Sequence, residues 1–150
     1  MSLRIEILIS TMFKQDLAFL EPMFIHNNID DFDLIIVNQT VKDKLLVSDK
    51  KNIKVINSFE RGSPASRNLA IKNATKDICL MADDDIVYND NLKNNILEAY
   101  KEHPNAAMIS FEAVDESGKL YTNYHPQGKH NNKSLKKIYT WVITFNRKMF

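Results

Sequence analysis

The run DLIIVN, Asp33 to Asn38, constrains this chain most. Its apolar residues follow one another without the alternation of a strand that keeps one face in water. Such a strand has to be buried on both sides, as in a parallel sheet covered by helices above and below. Further strand readings fall on Arg4 to Thr11 (RIEILIST), Asn52 to Asn57 (NIKVIN) and Asp77 to Ala82 (DICLMA). Between the first two, Lys14 to about Asn27 carries Leu17, Leu20, Phe24 and Ile25 at helical spacing, with Pro22 placed to kink or shorten that helix. Ser63 is a good N-cap and Pro64 suits the first helical position, so a helix is expected to about Ala74, with Ala65, Leu69 and Ile71 as its apolar positions. Asn89 is expected to cap another through about His103, stopped by Pro104.

Ala106 to Val114 is strand-like, Asp115 to Lys119 (DESGK) reads as a turn, and Leu120 to Tyr124 reads as a returning strand. A polar loop, Tyr124 to Ser134, leads to a last strand at Ile138 to Phe145 (IYTWVITF). The order β-α-β-β-α-β-α-β-β-β predicts an α/β fold. It has a mostly parallel central sheet, with mixed pairing at one edge where the alternation breaks. Length and the absence of repeats or linkers predict a single domain over residues 1–150.

Composition narrows the function classes. With 44% hydrophobic and 26% charged residues this is ordinary globular material. A net charge of +1 provides no global basic field, so no nucleic-acid partner is expected. Lys133, Lys136 and Lys137 form a local basic patch that reads as a solvated face. The lone cysteine, Cys79, can form neither an internal disulfide nor a paired-Cys metal site, and reads as a small core residue. No run approaches the roughly 18 apolar residues that span a membrane. MSLRIEILIS is too short and polar-flanked for a signal peptide. The Asn-x-Ser/Thr triplets at Asn38, Asn73 and Asn132 therefore read as chance matches. The cytoplasm is the expected location, with the inner face of a membrane as its variant.

Chemistry is signalled where the fourth strand runs straight into Asp83, Asp84 and Asp85. Three adjacent carboxylates repel one another and are costly to desolvate. On the triplet alone, a solvated turn that stops the strand is the simpler reading. In an open α/β sheet, however, ligands bind beyond the carboxyl ends of the strands. Four strand ends there would converge: Ser10-Thr11, Asn38-Gln39-Thr40, Arg61-Gly62 with the helix carrying Arg67-Asn68, and the aspartates. Amides, hydroxyls, two arginines, a helix start and carboxylates suit a nucleoside diphosphate with Mg²⁺ or Mn²⁺. No GxGxxG or GxxxxGK[ST] loop is present, which weighs against dinucleotide-binding dehydrogenases and P-loop enzymes.

The segment FERGSPASRNLAIKNATKDICLMADDDIVYNDNL resembles the core of family 2 glycosyltransferases of the GT-A fold. Gly62, Ser66-Arg67-Asn68 and the Asp83-Asp84-Asp85 triplet stand where that family has its glycine loop, Ala-Arg-Asn helix start and Asp-x-Asp, and Arg4 to Asn38 resembles its opening strand-helix-strand. The resemblance implies a Rossmann-like three-layer sandwich and sugar transfer with inversion. Its implied partners are a nucleoside diphosphate sugar donor and a hydroxyl-bearing glycan or lipid-linked acceptor. It implies that Thr11, Asn38, Arg67, Asp83 and Asp84 bind the nucleotide sugar. Asp85, with Asp83, would ligate Mg²⁺ or Mn²⁺.

Two departures qualify the resemblance. The family's second strand usually ends in an acidic turn against the base, and here it ends in Asn38-Gln39-Thr40. Its catalytic base lies in an acidic motif after the strand resembling Ile138 to Phe145, whereas this sequence ends at Asn146-Arg147-Lys148-Met149-Phe150. The resemblance therefore implies a donor-binding portion without a catalytic residue of its own, inactive alone. Self-association through an apolar patch near Trp141 and Phe145 is expected. A nucleotidyltransferase would need a glycine-rich loop after the first strand, which MFKQD lacks. A non-catalytic nucleotide-binding or interaction module is the other alternative. His125, His130, Tyr121 and Tyr124 read either as acceptor lining or as a surface loop, and Trp141 as a sugar platform or a strand aromatic.

Overall fold

Strands form at β1 (Ile5–Met12), β2 (Asp33–Gln39), β3 (Ile53–Ser58), β4 (Ile78–Asp83), β5 (Met108–Ser110) and β6 (Ile143–Asn146). The computed structural model describes residues 3–121 and 128–150. One sheet contains all six strands in the order β3-β2-β1-β4-β6-β5. The first four are mutually parallel. β6 runs antiparallel to β4, and β5 antiparallel to β6, so the mixed edge expected from the broken alternation is present. It follows that β5 ends, and β6 begins, on the side of the sheet where β4 ends.

The continuous apolar runs are explained by burial on both faces. Ile7 and Ile9 of β1, Leu34 and Ile36 of β2, and Leu80 and Ala82 of β4 pack to one side with Leu20 and Met23 of α1 (Leu20–Met23) and Ile96 and Tyr100 of α3 (Leu92–Glu102). Leu8, Ile35, Val37, Cys79 and Met81 alternate with them and face the other way, against Ala70 of α2 (Ser63–Asn73). The result is three layers, helix–sheet–helix. Cys79 is fully buried, as its place in an apolar run predicts. Burial, reinforced by the charge of Glu6, pushes its thiol up to about 12.

Several elements differ from the local reading. The helix expected over Lys14 to Asn27 is reduced to the four residues of α1. Pro22 has no N–H to donate, so it is tolerated only in a first turn. Upstream, Asp16 Oδ1 accepts the Ala18 N–H at 3.0 Å, a local bond that competes with helix. Ile25, expected on the apolar face, is 68% exposed. Ser63 is the first residue of α2 rather than its cap. Gly62 occupies the cap at φ 126°, a conformation strained for any residue with a Cβ. α3 starts at Leu92 rather than after Asn89, and its cap comes from far away: Asn27 Oδ1 accepts the Leu92 N–H at 3.1 Å, and Asn27 Nδ2 donates to the Asn89 carbonyl at 2.9 Å.

Toward the end of the chain, the nine-residue strand expected at Ala106 to Val114 shrinks to β5, and Val114 meets Leu120 in a single bridge across the Asp115–Lys119 turn. The rest of the returning strand, from Thr122 through Tyr124, lies outside the described residues, as does His125. The strand expected from Ile138 starts only at Ile143, after a 3-10 turn over Thr140–Val142. Phe145 is 3% exposed and stacks at a tilt on Phe150, 4.8 Å between ring centroids, so it does not form the apolar patch expected near Trp141.

The middle of the long β2–β3 connection is tied to β3 by the Asn57 side chain. Asn57 Oδ1 accepts the Leu46 N–H at 3.0 Å, and its Nδ2 donates to the Leu46 carbonyl at 2.8 Å. Its Oδ1 also accepts from Asn38 Nδ2 at 3.1 Å. Leu46 is fully buried, so its backbone groups have no water to fall back on. Asn57→Ala is expected to lower the free energy of unfolding by about 1–3 kcal/mol through these orphaned groups. Urea denaturation checks this; a shift in midpoint at unchanged slope is the expected result, and no shift would mean that the loop finds other partners.

Candidate functional site

The register brings the sequence-nominated strand ends into adjacent rows. Thr11 lies beside Asn38, Asn38 beside Asn57, and Ser10 beside Asp83. The four parallel strands therefore deliver their carboxyl ends to one rim, where the start of α2 also sits. Ser66, in the first turn of α2, donates to the Ser63 carbonyl at 3.0 Å, and its hydroxyl lies 3.2 Å from that of Ser10 in β1. Gln39 Oε1 accepts the Gly62 N–H at 2.7 Å, which ties the loop before α2 to the end of β2.

The three aspartates have three different environments. Asp83 Oδ1 accepts from Arg67 Nη2 at 2.8 Å, and both side chains are about a quarter to a third exposed. Asp84 Oδ2 accepts from the Thr11 hydroxyl at 2.5 Å and faces Lys14 Nζ at 3.1 Å. Asp85 is exposed. Two cations and a hydroxyl thus offset the repulsion within the triplet. They also leave Asp85 as the member whose carboxylate has no protein partner among the described residues.

Asn38, nominated as a contact to the nucleotide base, is fully buried with its amide engaged. It donates to the Lys14 carbonyl at 3.0 Å and to Asn57 Oδ1 at 3.1 Å, and accepts the Lys14 N–H at 3.1 Å. Its geometry is that of a positioning residue for the Lys14 loop, which in turn places Lys14 against Asp84. Thr11 is also buried and directed to Asp84. Arg67 and Asp83 meet at the rim where the strand ends were expected to converge, Asp84 is held beside them by Thr11 and Lys14, and Asp85 adjoins them at the surface.

Three residues of this rim escaped the local reading. Lys14 is the lone cation of the loop after β1, and that position was its only signal. Phe13 adopts a left-handed backbone at φ 55°, uncommon for an aromatic residue; its N–H donates to the Gln39 carbonyl at 2.9 Å, and the Arg61 guanidinium lies 5.6 Å from its ring. Tyr88 is 7% exposed, and its hydroxyl has no hydrogen-bond partner among the described residues. Burial, then the charge of Asp83, push its pKa up, so the phenol stays neutral. No pattern in IVYND signals any of this.

Among the described residues no group of three or more His, Cys, Asp or Glu side chains is arranged to hold a metal ion. A cation that keeps waters and bridges to phosphate needs only one or two carboxylates, which is what Asp85 and Asp83 can offer. Of the histidine and aromatic nominations, Tyr124 and His125 lie outside the described residues. His130 is tied through Nε2 to the Ser110 hydroxyl at 2.9 Å and through Nδ1 to Ser134 at 3.2 Å. Trp141 stacks on Tyr139 with centroids 5.4 Å apart.

Residues 5–149 match the protein-family model described as Glycosyl transferase family 2. Among solved structures, that of S. aureus TarS residues 1–349 superimposes with a TM-score of 0.57 at 15% identity, covering 96% of this chain and 47% of that one. This chain therefore spans about half the length of that neighbour, and the likeness bears on the fold. No curated protein matches the chain by sequence. The parallel sheet with its antiparallel edge, covered by helices on both faces, is consistent with the GT-A fold.

Proposed function

This chain belongs to glycosyltransferase family 2, and on that premise we propose that its rim binds the nucleoside diphosphate of a sugar donor. The observation that carries the reading is the Asp83-Asp84-Asp85 cluster at the end of β4, with Arg67 and Lys14 on its first two members and the last left free. Arg67 and the start of α2 favour a diphosphate through charge and unsatisfied backbone N–H groups. Asp85 and Asp83 would hold Mg²⁺ or Mn²⁺, which when bound adds positive charge beside the leaving diphosphate. Thr11 and Lys14 keep Asp84 in place. Asn38 acts one step back, by fixing Lys14.

The full reaction of which this rim is part would move the sugar to a hydroxyl of a glycan or lipid-linked acceptor, with inversion. None of the residues above is assigned as the base that deprotonates that hydroxyl. The differential stability of the bound state tests the donor reading, because a ligand of the native state raises the melting temperature. UDP and GDP are expected to raise it more with Mn²⁺ than with EDTA, and Asp85→Asn is expected to remove most of the metal-dependent part. Equal responses of Asp85→Asn and the parent chain would show that Asp85 is not the ligand; no response to any nucleoside diphosphate would overturn the donor site itself.

A further inference from the structure

Charge is distributed unevenly along this chain. Seven of its 20 Lys and Arg residues, and none of its 19 Asp and Glu residues, lie in residues 117–150, which therefore carry +7. The remaining 13 basic residues against all 19 acidic ones leave −6 on residues 1–116, so the overall +1 hides two opposite regions. Four of the seven, Lys129, Lys133, Lys136 and Lys137, fall within nine residues and are all exposed. Among the described residues no ion pair engages any of the four. An ordinary solvated face mixes signs, as the β2–β3 connection does with Asp43 and Asp49 among Lys42, Lys44, Lys50 and Lys51.

Apolar and aromatic groups accompany these lysines. Leu135 stands among them, 48% exposed. Tyr139 and Trp141 follow as a stacked pair, and Tyr121, 43% exposed, sets its edge against both rings at 5.5 Å. The His130 bond to Ser110 fastens the segment to the end of β5, and its bond to Ser134 closes a turn within the segment. Trp141 also lies two residues before β6, which starts on the side of the sheet where β4 ends in Asp83. The basic and aromatic segment therefore flanks the rim side of the molecule.

We propose that the segment Lys129–Trp141 docks this domain on an anionic membrane surface. Unpaired lysines are drawn to acidic headgroups, tyrosine and tryptophan favour the headgroup level, and an exposed leucine enters the acyl boundary. A soluble polyanion would account for the lysines and leave Leu135 and the rings without a role. Attachment is peripheral, since no helix among the described residues is long and apolar enough to cross a membrane. Where the donor reading also holds, docking brings the rim beside lipid headgroups, where a lipid-linked hydroxyl would be presented.

The test uses no nucleotide, so its outcome is separate from that of the donor site. The chain is sedimented at low salt with vesicles of phosphatidylserine and phosphatidylcholine, roughly 3:7, or of phosphatidylcholine alone. Binding is expected to the first and not to the second, and to weaken as salt rises. Each lysine contributes about fivefold to partitioning, so the variant K129Q/K133Q/K136Q/K137Q is expected to bind several hundred-fold more weakly, on the order of full loss. Leu135→Ser is expected to weaken binding about tenfold. The control K42Q/K44Q/K50Q/K51Q makes the same change in net charge at the other end of the sheet and is expected to bind as the parent does. Equal loss in the control, equal binding to both vesicles, or retention on a heparin resin without vesicle binding would each overturn the proposal.

Discussion

Arg67→Ala is expected to weaken binding of a nucleoside diphosphate about a hundredfold while barely changing the stability of the free protein. Arg67 is the cation nearest the aspartate cluster from α2, and its Nη2 holds Asp83 at 2.8 Å. Removing it takes away a donor for the diphosphate and also leaves the Asp83 carboxylate free to repel that anion. Each charge-assisted bond is worth about 1.5–3 kcal/mol, and a hundredfold change in affinity is about 2.7 kcal/mol, so one such bond lost from the complex suffices. Stability responds less, because an ion pair with this much solvent around it contributes about 0–1 kcal/mol. Arg67→Lys keeps the charge and loses the planar fork, so it is expected to fall between the two, roughly tenfold down. Calorimetry decides: unchanged affinity in Arg67→Ala sinks the assignment, and a large drop in the melting temperature of the ligand-free variant would mark Arg67 as a structural ion-pair partner instead.

Alkaline pH is expected to remove several kcal/mol of this protein's stability. Burial raises the pKa of Cys79 from 9.0 to about 12, and burial raises those of Tyr88 and Tyr100 above 10.0 as well. Each group stays protonated in the native state over a range where the unfolded chain has already released its proton. Below pH 9 neither state is ionised at Cys79 and its full contribution is present. Above pH 9 the unfolded state is favoured progressively, until the native thiol ionises near 12. A proton held by one state alone costs about 1.4 kcal/mol per pH unit, and domains of this size have only about 5–15 kcal/mol in total. Urea midpoints at pH 8 and 11 measure the loss. Tyr88→Phe is expected to reduce the fall, and at pH 8 to match or exceed the parent by about 1 kcal/mol, since it removes a buried hydroxyl that has no partner among the described residues. A fall in stability of the same size in Tyr88→Phe and Cys79→Ala as in the parent would show that these groups are not responsible.

The parts of this protein that its sequence determined are those in which a residue's role depends on its near neighbours. A run such as DLIIVN can satisfy its side chains only with cover on both faces, so the parallel sheet and its two helix layers follow from pattern alone. The placing of the start of α2 and the aspartates on one side of the sheet follows too, because parallel strands all end on the same side; the Arg67–Asp83 contact itself needed the strand order. What depended on residues distant in the chain was decided only by the tertiary structure. The cap of α3 comes from Asn27, 65 residues away, which no inspection of Asn89 to Leu92 can supply. Asn38 looks like a free amide at a strand end, yet its groups are taken by Lys14 and Asn57, which the sheet register sets beside it. The role of Lys14 itself exists only because β1 and β4 are neighbours and bring it within 3.1 Å of Asp84. Side-chain partners are chosen among whatever the fold makes adjacent, and that adjacency is a property of the packed sheet, absent from any window of the chain.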